Sequence, residues 1–574
     1  MLILKVAVFC AFLAISGQYF SVGAGAAGSV VASRLSEKPC VSVLLLEAGK
    51  AGPSLTDIPG FTRSFWGSDL NWDYKTEPQR NTGNAFTKNE ITYPQGKVTG
   101  GTSTFSFLLY TRGNKKNYDD WDSQGAKGWS YKDVYPYFLK LENNKDQEFL
   151  HNGYHHKGGP LTVQKPSYYG EVKPPVFEAI KEMGYKVVDP NGPETTGFYE
   201  YQGFIDGAQR TNAAKAYLVP AEDRPNLDIL PNAFVRKVII ENGQATGVEY
   251  ELDGHKEKVK AKKEVILSAG AINTPQILML SGIGPQAQLR KHKIPLVADL
   301  PVGKNLQDHF CAFLDYEMDP SIPDNDAQLN NQENVLTYIC NRSGPLGSPA
   351  FLSAVGFINL ESKDPKSIPD YELYVAEVSY QMLKEQLNLK KNVFDHMYRP
   401  YEGKPLFLCA VNVLQPKSRG TVELQSNDPK HPPAIDPNYY SNPDDLKVIV
   451  EGLKFCHELI SSKSLKKIKA QPLNTTYPEC EGIARDTDAY YRCVAKSSGI
   501  PLGGLSGTCR MGDPKDSTTV VDPTLKVKGV KGLRVADASI MPSVPSGNTY
   551  APTVMIGEKA ADMIKQTINC PSQG

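Results

Sequence analysis

A glycine turn close to the start of the chain has the residue types and spacing of a dinucleotide-binding site. The turn is GAGAAG, in which Gly23 permits a tight bend, Gly25 lets a pyrophosphate approach the backbone, and Gly28 lets a following helix pack closely on its strand. A helix that begins there would aim free N–H groups and the positive end of its dipole at the phosphates. The pattern therefore predicts a dinucleotide site, with a purely structural glycine turn as the alternative.

The elements around this turn have the order that such a site requires. A short apolar run, 19–22, precedes the turn, a helical stretch, 29–35, follows it, and the apolar strand 41–46 ends at Glu47. Strand, glycine turn, helix, strand and acid together form the start of a βαβ unit. A carboxylate at the end of the second strand can accept hydrogen bonds from both hydroxyls of an adenosine ribose. Glu47 is therefore a predicted cofactor-binding residue.

The remaining chain predicts a second structural layer. Alternating strands lie between about 225 and 270, a helix follows at 274–280, and a strand at 533–539 leads into a closing helix from about 552 to 568. Between 311 and 500 the sequence has aromatic-rich alternating segments and several X-Pro breaks, which favour a separate antiparallel sheet. We predict an α/β protein divided into a signal peptide (1–17), a cofactor domain (18–310), a substrate-binding domain (311–500) and a C-terminal return to the cofactor domain with the active-site loop (501–568).

Six blocks of the sequence resemble the glucose–methanol–choline oxidoreductase family and occur in that family's order. GKVTGGTSTFSFLLYTRGN (96–114) is similar to the first family signature and GAINTPQILMLSGIG (270–284) to the second. Together with the glycine turn the resemblance extends from residue 23 to about 568, and the spacing is most similar to the arthropod members. It implies an FAD-binding Rossmann-like domain with an interleaved substrate domain on an antiparallel sheet. The other four blocks are VGKNLQDH (302–309), SRGTVEL (418–424), IDPNYYSNPDDL (435–446) and DASIMPSVPSGNT (537–549).

The resemblance also implies which residues contact FAD. The second glycine turn and the segment after it should lie along the flavin and the pyrophosphate, because close backbone approach and N–H donors suit a flavin. Val235 should meet the adenine through its backbone, Asp537 should lie by the pyrophosphate and ribityl chain, and Asn548 and Thr549 should lie at the isoalloxazine ring. The implied residues of the turn and the following segment are Val98, Gly100, Gly101, Thr102, Ser106, Phe107, Leu108 and Leu109.

The residue that usually removes the substrate's proton in this family is missing. Family members oxidise an alcohol by removing its hydroxyl proton while a hydride moves to the flavin, and a histidine in a block similar to HPVGTCKMG serves as the base. Here the block is GLSGTCRMG (504–512), so the histidine position falls on Gly504, whereas the second catalytic position is occupied by Asn548. General base catalysis typically contributes about 10²- to 10⁴-fold. We therefore expect ordinary alcohol oxidation to be impaired.

Three neighbouring features bear on the same site. Ser106 stands where the first signature normally has Asn, and Tyr550 follows Asn548 and Thr549 where relatives have a smaller polar residue. We expect the Tyr550 ring to fill the pocket rather than to donate a proton. We interpret His309 as a packed loop residue rather than a replacement base.

Composition excludes several classes of partner. The 574 residues include 63 basic and 63 acidic side chains, so nothing suggests a nucleic acid or an anionic membrane surface as partner. No apolar run reaches the roughly 18 residues that a membrane helix needs. The expected partners are a small alcohol and an electron acceptor, either oxygen or a quinone.

The N-terminus predicts secretion. Residues 1–17 contain one early lysine, an apolar run from Val6 to Ile15 and then small residues, as in a signal peptide; a buried first strand is the alternative. Nine of the ten cysteines follow this segment, an odd number, and Cys480 and Cys493 flank a polar loop that suits a disulfide. Two sequons, at Asn341 and Asn474, make the chain a candidate glycoprotein.

Four hypotheses of function follow. The first is an FAD-dependent oxidoreductase acting on CH–OH groups, with reduced or altered activity because of Gly504. The second is a flavin-binding pseudoenzyme that does not turn over alcohols. A hydroxynitrile lyase is disfavoured because those relatives also depend on the histidine, and a pure interaction protein is disfavoured by the intact cofactor motifs. The sequence does not show which alcohol would be the substrate.

Overall fold

The computed structural model describes residues 18–349, 352–362 and 364–570, so the predicted signal peptide lies outside the described residues. The strands, in chain order, are β1 (Tyr19–Val22), β2 (Val43–Leu46), β3 (Tyr74–Lys75), β4 (Thr92–Tyr93), β5 (Glu142–Asn144), β6 (Leu161–Val163), β7 (Gly197–Tyr199), β8 (Ile205–Asp206), β9 (Gln209–Arg210), β10 (Leu227–Leu230), β11 (Phe234–Glu241), β12 (Gln244–Leu252), β13 (His255–Lys260), β14 (Glu264–Leu267), β15 (Phe310–Glu317), β16 (Leu352–Ile358), β17 (Tyr371–Val378), β18 (Leu406–Val413), β19 (Thr421–Glu423), β20 (Ala434–Asp436), β21 (Gln471–Pro472), β22 (Ile500–Pro501) and β23 (Leu533–Val535). The helices are α1 (Ala26–Leu35), α2 (Lys115–Ser123), α3 (Tyr131–Leu141), α4 (Lys173–Glu182), α5 (Gly270–Leu280), α6 (Gln286–Lys291), α7 (Asn325–Leu329), α8 (Gln332–Asn341), α9 (Tyr380–Gln386), α10 (Lys391–Tyr398), α11 (Pro443–Ile460), α12 (Lys463–Lys466), α13 (Asp488–Ser497) and α14 (Tyr550–Lys565).

A parallel sheet in the order β10–β2–β1–β14–β23 organises the cofactor half of the molecule. Its strands β1, β2, β14 and β23 are mainly apolar and buried almost throughout, as expected of a parallel sheet covered on both faces, whereas β10 at one edge is partly exposed. The helices α1 and α14 pack against each other beside this sheet. Strands that are far apart in the sequence thus become neighbours, and the loops after their carboxyl ends meet at one edge.

Helix α1 begins three residues earlier than the sequence predicts, at Ala26 rather than at Ser29. Gly28 lies within this helix, and only a residue without a side chain fits there, because a Cβ atom would lie 1.8 Å from the carbonyl oxygen of Gly23. The absent side chain lets the first turn of the helix lie directly on the bend that precedes it. The close packing expected of this third glycine is therefore present.

A second sheet of antiparallel strands forms the other half. Its order is β21–β15–β18–β17–β16–β7, and β22 also pairs with β15. Helix α11 lies across β18, and a Cβ atom on Gly452 of that helix would lie 2.2 Å from Val411 Cγ1, so helix and sheet approach closely. The predicted α/β fold with an antiparallel second layer is confirmed. The layer also takes β7 from the segment before residue 310, and the exact domain boundaries stay a prediction.

Three disulfides link parts of the chain. Cys480 pairs with Cys493, as predicted, and the sequence did not indicate the other two pairs, Cys40–Cys570 and Cys409–Cys456. Among the described residues Cys311 and Cys509 are buried free thiols and Cys340 is an exposed one. The pair Cys40–Cys570 joins the end of the first βα unit to the C-terminus and so restrains almost the whole chain.

Labelling of thiols tests this disulfide set and the predicted signal cleavage together. Alkylation of secreted, denatured but unreduced protein should label Cys311, Cys340 and Cys509, and the N-terminus should lie near residue 18. Peptide mapping after digestion provides the measurement. Alkylated Cys480 or Cys493 would contradict the disulfide, and a peptide that begins at Met1 would contradict the cleavage.

Candidate cofactor and active site

A deep cleft opens where several parallel strands end. The loops after β1, β2, β14 and β23 contribute Gly23, Glu47, Gly270 and Asp537 to its lining. Open sheets of this kind bind ligands outside the carboxyl ends of their strands. The cleft is therefore the candidate site.

The first glycine turn forms one wall. Gly23 has a left-handed backbone conformation (φ +98°), and a Cβ atom there would lie 2.6 Å from Ser268 O. Gly25 precedes helix α1 and leaves open space toward the cleft, since its nearest contact would be Gly101 Cα at 3.9 Å. No side chain caps the start of α1, so its first N–H groups remain free for a ligand.

Glu47 lies at the end of β2 and is buried. Its Oε2 accepts a hydrogen bond from the N–H of Ala24 (2.7 Å), and its Oε1 accepts one from the N–H of Gly49 (2.8 Å). Burial raises the pKa of the Glu47 carboxyl to about 7, although both backbone donors oppose the shift. The carboxylate also holds the loops after β1 and β2 together.

The second glycine turn lies against the first without an intervening side chain. Gly101 is left-handed (φ +57°), and a Cβ atom there would lie 2.7 Å from Gly25 Cα. Gly101 and Thr102 line the cleft, and the hydroxyl oxygen of Thr102 accepts a hydrogen bond from the N–H of Gly96 (3.1 Å). Val98 is buried behind the turn and is not among the described residues that line the cleft; nor is Gly28.

The segment after this turn is fixed by a residue that the sequence did not single out. Arg210 is fully buried, and its guanidinium donates to the carbonyl oxygen of Ser106 (2.7 Å), that of Ser103 (3.3 Å), that of Thr56 (3.0 Å) and the hydroxyl of Thr62 (2.5 Å). Burial lowers the pKa of Arg210 to about 9. This arginine fixes one end of the segment that lines the cleft with Ser106, Phe107, Leu108 and Leu109.

Asp537 joins the end of β23 to the start of α5. Its Oδ2 accepts hydrogen bonds from the N–H of Gly270 (2.9 Å) and the hydroxyl of Thr274 (2.6 Å), and its Oδ1 accepts one from the N–H of Ser539 (2.8 Å). Burial raises the pKa of this carboxyl. Asp537 lines the cleft, as does Val235 on β11.

The loop before α14 brings the predicted active-site residues to the cleft. The N–H of Asn548 donates to Thr111 Oγ1 (2.8 Å), and the hydroxyl of Thr549 donates to the carbonyl oxygen of Gly503 (3.4 Å). Gly503 and Thr549 therefore bring the segments around Gly504 and Asn548 together, and the predicted roles of these two residues stay a prediction. The Tyr550 ring packs against Phe204 with a centroid distance of 4.5 Å.

Three buried polar atoms on cleft-lining residues have no hydrogen-bond partner within the described protein. They are Ser106 Oγ, Asn548 Oδ1 and the Tyr550 hydroxyl. Buried polar atoms in folded proteins are almost always satisfied. A polar ligand in the cleft would supply their partners, so these residues fit a bound cofactor or substrate.

Gly504 itself lies just behind the lining, whereas Leu502, Gly503 and Leu505 are part of it. A Cβ atom on Gly504 would lie 3.0 Å from the Cγ, the Nδ1 and the backbone N of His309. His309 is buried, its Nε2 donates to Leu414 O (3.3 Å), and burial lowers its pKa to about 4. No histidine is among the described residues of the cleft lining.

Comparison with known proteins decides the family. The model of the GMC oxidoreductases matches residues 18–311 in its N-terminal part and 416–557 in its C-terminal part. The chain belongs to the GMC oxidoreductase family. FAD is its cofactor, as the motifs predicted.

The similarity to known GMC proteins extends over nearly the whole chain. Glucose dehydrogenase [FAD, quinone] of Drosophila pseudoobscura is 39% identical over 96% of this chain and 87% of its own length, and its Drosophila melanogaster counterpart is 38% identical with the same coverage. A variant of formate oxidase from Aspergillus oryzae has a TM-score of 0.83 at 28% identity, covering 96% of this chain and 98% of its own. An FAD-dependent oxidoreductase from Chaetomium thermophilum has a TM-score of 0.81 at 28% identity, covering 96% and 99%. The described residues contain no helix with the length and apolarity needed to cross a membrane.

A bulky residue at Gly25 should prevent FAD from binding. Because Gly25 has open space toward the cleft, Gly25→Trp leaves the fold intact and fills the space beside the glycine turn. The purified variant should be colourless while wild type shows flavin absorbance with one FAD per chain. The matched control is Gly67→Trp, since a Cβ atom on Gly67 would meet nothing within 4 Å. A yellow Gly25→Trp protein would show that the cofactor lies elsewhere.

Proposed function

We propose that this GMC protein oxidises the CH–OH group of a small alcohol, with reduced or altered activity because residue 504 is glycine. The observation that carries the proposal is the composition of the cleft. It presents Asn548 Oδ1 and other unsatisfied polar atoms toward a ligand, while no histidine is among its described lining residues. The unsatisfied polar atoms therefore support binding of a polar ligand, whereas the histidine that usually accepts the proton is absent from the described lining.

The cleft residues suit FAD in a definite arrangement. The free N–H groups at the start of α1, beside Gly23 and Gly25, would bind the pyrophosphate, and Glu47 would accept from the adenosine ribose. Val235 would lie by the adenine and Asp537 by the ribityl chain. When bound, FAD supplies the oxidant that takes two electrons from the alcohol. The isoalloxazine ring would lie against backbone and side chains of Gly101, Thr102, Ser106, Phe107, Leu108, Leu109, Asn548 and Thr549, with Val98 supporting the turn from behind.

The names of the relatives favour a small hydroxyl compound and a diffusible electron acceptor. The Drosophila relatives are glucose dehydrogenases [FAD, quinone], and a relative from Sinorhizobium fredii, 36% identical, is an oxygen-dependent choline dehydrogenase. We infer that the acceptor is a quinone or oxygen. The predicted signal peptide, the three disulfides and the exposed sequon residues Asn341 and Asn474 support a secreted glycoprotein.

A flavin-binding pseudoenzyme is the second candidate, and Tyr550 favours it. The ring lies in the lining next to Asn548, and its hydroxyl is buried without a partner. A ring at this place could occupy the position of the alcohol. The protein would then hold FAD without turnover.

Gly504→His should restore fast, alcohol-dependent flavin reduction. The new imidazole would accept the alcohol proton, and a gain of about 10²-fold or more is expected. Because a Cβ atom at this position would lie only 3.0 Å from the ring and from the backbone N of His309, both must move by a few tenths of an ångström. The measurement is anaerobic bleaching of the flavin after mixing with aliphatic, aromatic and terpenoid alcohols.

Two further variants separate the possible causes. Gly504→Ala introduces the same Cβ crowding without a base and should gain nothing. Gly504→His combined with Tyr550→Asn should exceed Gly504→His alone if the ring blocks the alcohol. If no histidine variant reduces flavin faster than wild type, the missing histidine is not the controlling defect.

A further inference from the structure

A buried carboxyl group lies directly beside the position that lacks its base. Asp308 is 4% exposed, and its Oδ2 accepts hydrogen bonds from the hydroxyls of Tyr93 (3.1 Å) and Tyr439. The two tyrosine hydroxyls also contact each other. Among the described residues, no group lies in good hydrogen-bond geometry with the second oxygen of the same carboxyl, Asp308 Oδ1, although the backbone N–H groups of His309 and Gly504 are near the carboxyl.

Backbone pairing places Asp308 next to Gly504. The N–H of Leu502 donates to His309 O (2.8 Å), and the N–H of Ser506 donates to Gln307 O (3.0 Å). Asp308 and Gly504 are the central residues between these two contacts. The backbone N–H of Gly504 is close enough to the Asp308 carboxyl to lower its pKa.

Tyr93 connects this carboxyl to the cleft. It is the last residue of β4, where it pairs with Tyr74 of β3, is buried, and lines the same cleft as Asn548 and Leu505. Among the described lining residues, Tyr93 is the one whose side chain is hydrogen-bonded to Asp308. Its phenol is therefore the candidate link between an alcohol in the cleft and this carboxyl.

The ionisation of Asp308 suits a proton acceptor at neutral pH. Burial raises its pKa to about 7, against the lowering effects of Tyr439, Tyr93 and the N–H groups of His309 and Gly504. A base works best when its pKa lies near the operating pH. The pKa of Tyr93 lies well above its usual value because of burial and the nearby carboxylate, so the phenol stays protonated at rest.

We propose that Asp308 accepts the hydroxyl proton of the substrate through Tyr93 and so replaces the base that Gly504 lacks. This inference rests on the proposed alcohol oxidation. The alcohol O–H bond breaks and its proton forms a new O–H bond on Tyr93, while the original phenol proton moves to Asp308 Oδ2. The hydrogen on the carbinol carbon leaves with the electron pair of its C–H bond, both go to the oxidant that bound FAD supplies, and the carbon–oxygen bond becomes a carbonyl.

The other titratable groups around Asp308 suit this role less well. His309 keeps its Nε2 on Leu414 O, has its pKa lowered to about 4 by burial, and does not belong to the described cleft lining. Tyr439 contacts Asp308 but is also outside that lining. Two further groups interact with the pair through charge. Besides burial, Asp308 raises the pKa of the Cys311 thiol, and besides burial and Asp308, Asp436 raises the pKa of Tyr93.

The chain offers a matched control in a second buried tyrosine–aspartate pair. The hydroxyl of Tyr398 donates to Asp315 Oδ2 (2.9 Å), Asp315 Oδ1 has no partner, and burial raises the pKa of Asp315 to about 7. Neither residue is among the described lining residues of the cleft. Asp315→Asn and Tyr398→Phe therefore reproduce the structural effect of the test variants without touching the proposed path.

The first measurement is anaerobic flavin reduction by 1-butanol, benzyl alcohol, geraniol and D-glucose in the FAD-loaded full chain. In wild type the rate should rise with pH through about 7, because only ionised Asp308 can accept the proton. Asp308→Asn and Tyr93→Phe should each lose about 10²-fold or more and lose that pH dependence. Asp315→Asn and Tyr398→Phe should keep both the rate and the pH profile.

The second measurement does not depend on turnover. tert-Butanol has no hydrogen on its carbinol carbon and cannot be oxidised, so it can bind without reducing the flavin. Its addition near pH 7 should change the carboxyl bands in an infrared difference spectrum of wild type and Asp315→Asn. The change should be absent from Asp308→Asn and Tyr93→Phe. Flavin content and the thermal unfolding midpoint of each variant show whether it has folded. If only one of Asp308→Asn and Tyr93→Phe folds, that variant alone is enough to test the path.

The outcomes separate this inference from the function it rests on. If wild type reduces flavin and Asp308→Asn behaves as Asp315→Asn does, the Asp308 path is overturned and alcohol oxidation stands. If wild type is inactive but Gly504→His is active, the path is again overturned and the proposed chemistry survives in the variant. If neither is active with any of the alcohols, both fall.

Discussion

Backbone contact between two glycine turns is the constraint on which the cleft depends. Gly101 lies so close to Gly25 that a Cβ atom on it would come within 2.7 Å of the neighbour's Cα, and a Cβ atom on Gly96 would lie 2.3 Å from the carbonyl carbon of Gly101. Side chains at these points would push the turns apart. Because they are missing, one wall of the cleft is built from main chain, which offers N–H groups to phosphates and to the edge of a flavin.

The buried charges around this wall are stabilised by neutral groups rather than by opposite charges. Glu47 is bonded to backbone N–H groups, Arg210 to carbonyls and a hydroxyl, and Asp308 to two phenols. Neutral partners only partly offset the cost of desolvation, so the pKa values of Glu47 and Asp308 rise to about 7 and that of Arg210 falls to about 9. The carboxyls of Glu47 and Asp308 therefore titrate near neutral pH.

A contrasting cluster lies away from the cleft lining. Arg112 donates to Glu142 (2.6 Å), and His155 is hydrogen-bonded to Glu142 (2.7 Å) and to Asp189 (2.9 Å). Despite burial, the pKa of Glu142 is lowered by the charges of Arg112 and His155. From outside the cleft lining this network fixes the chain beside Thr111, the residue whose hydroxyl accepts from the N–H of Asn548.

Sequence reasoning succeeded where the signal is local. The βαβ unit, the acid at Glu47 and the disulfide of Cys480 with Cys493 depend on residues within about one element of each other, so spacing alone indicates them. Arg210 and the pair of Tyr93 with Asp308 carry no such signal, because their partners lie 104 and 215 residues away in the chain. Strand β7 likewise joins its sheet by pairing with β16, more than a hundred residues later. Only the fold makes these groups neighbours.

The glycine at position 504 bears on proton transfer in two ways under the proposed function. It offers no base of its own, and it lets the 502–506 segment pair closely with 307–309, since even a Cβ atom would stand 3.0 Å from His309. That pairing holds Asp308 beside the cleft, sealed from water and hydrogen-bonded to a phenol of the lining. A side chain at 504 would have to separate the two segments slightly and would alter the surroundings of the carboxyl. A histidine at 504 would have to displace His309, the residue next to Asp308, so adding the family's base would disturb the proposed acceptor.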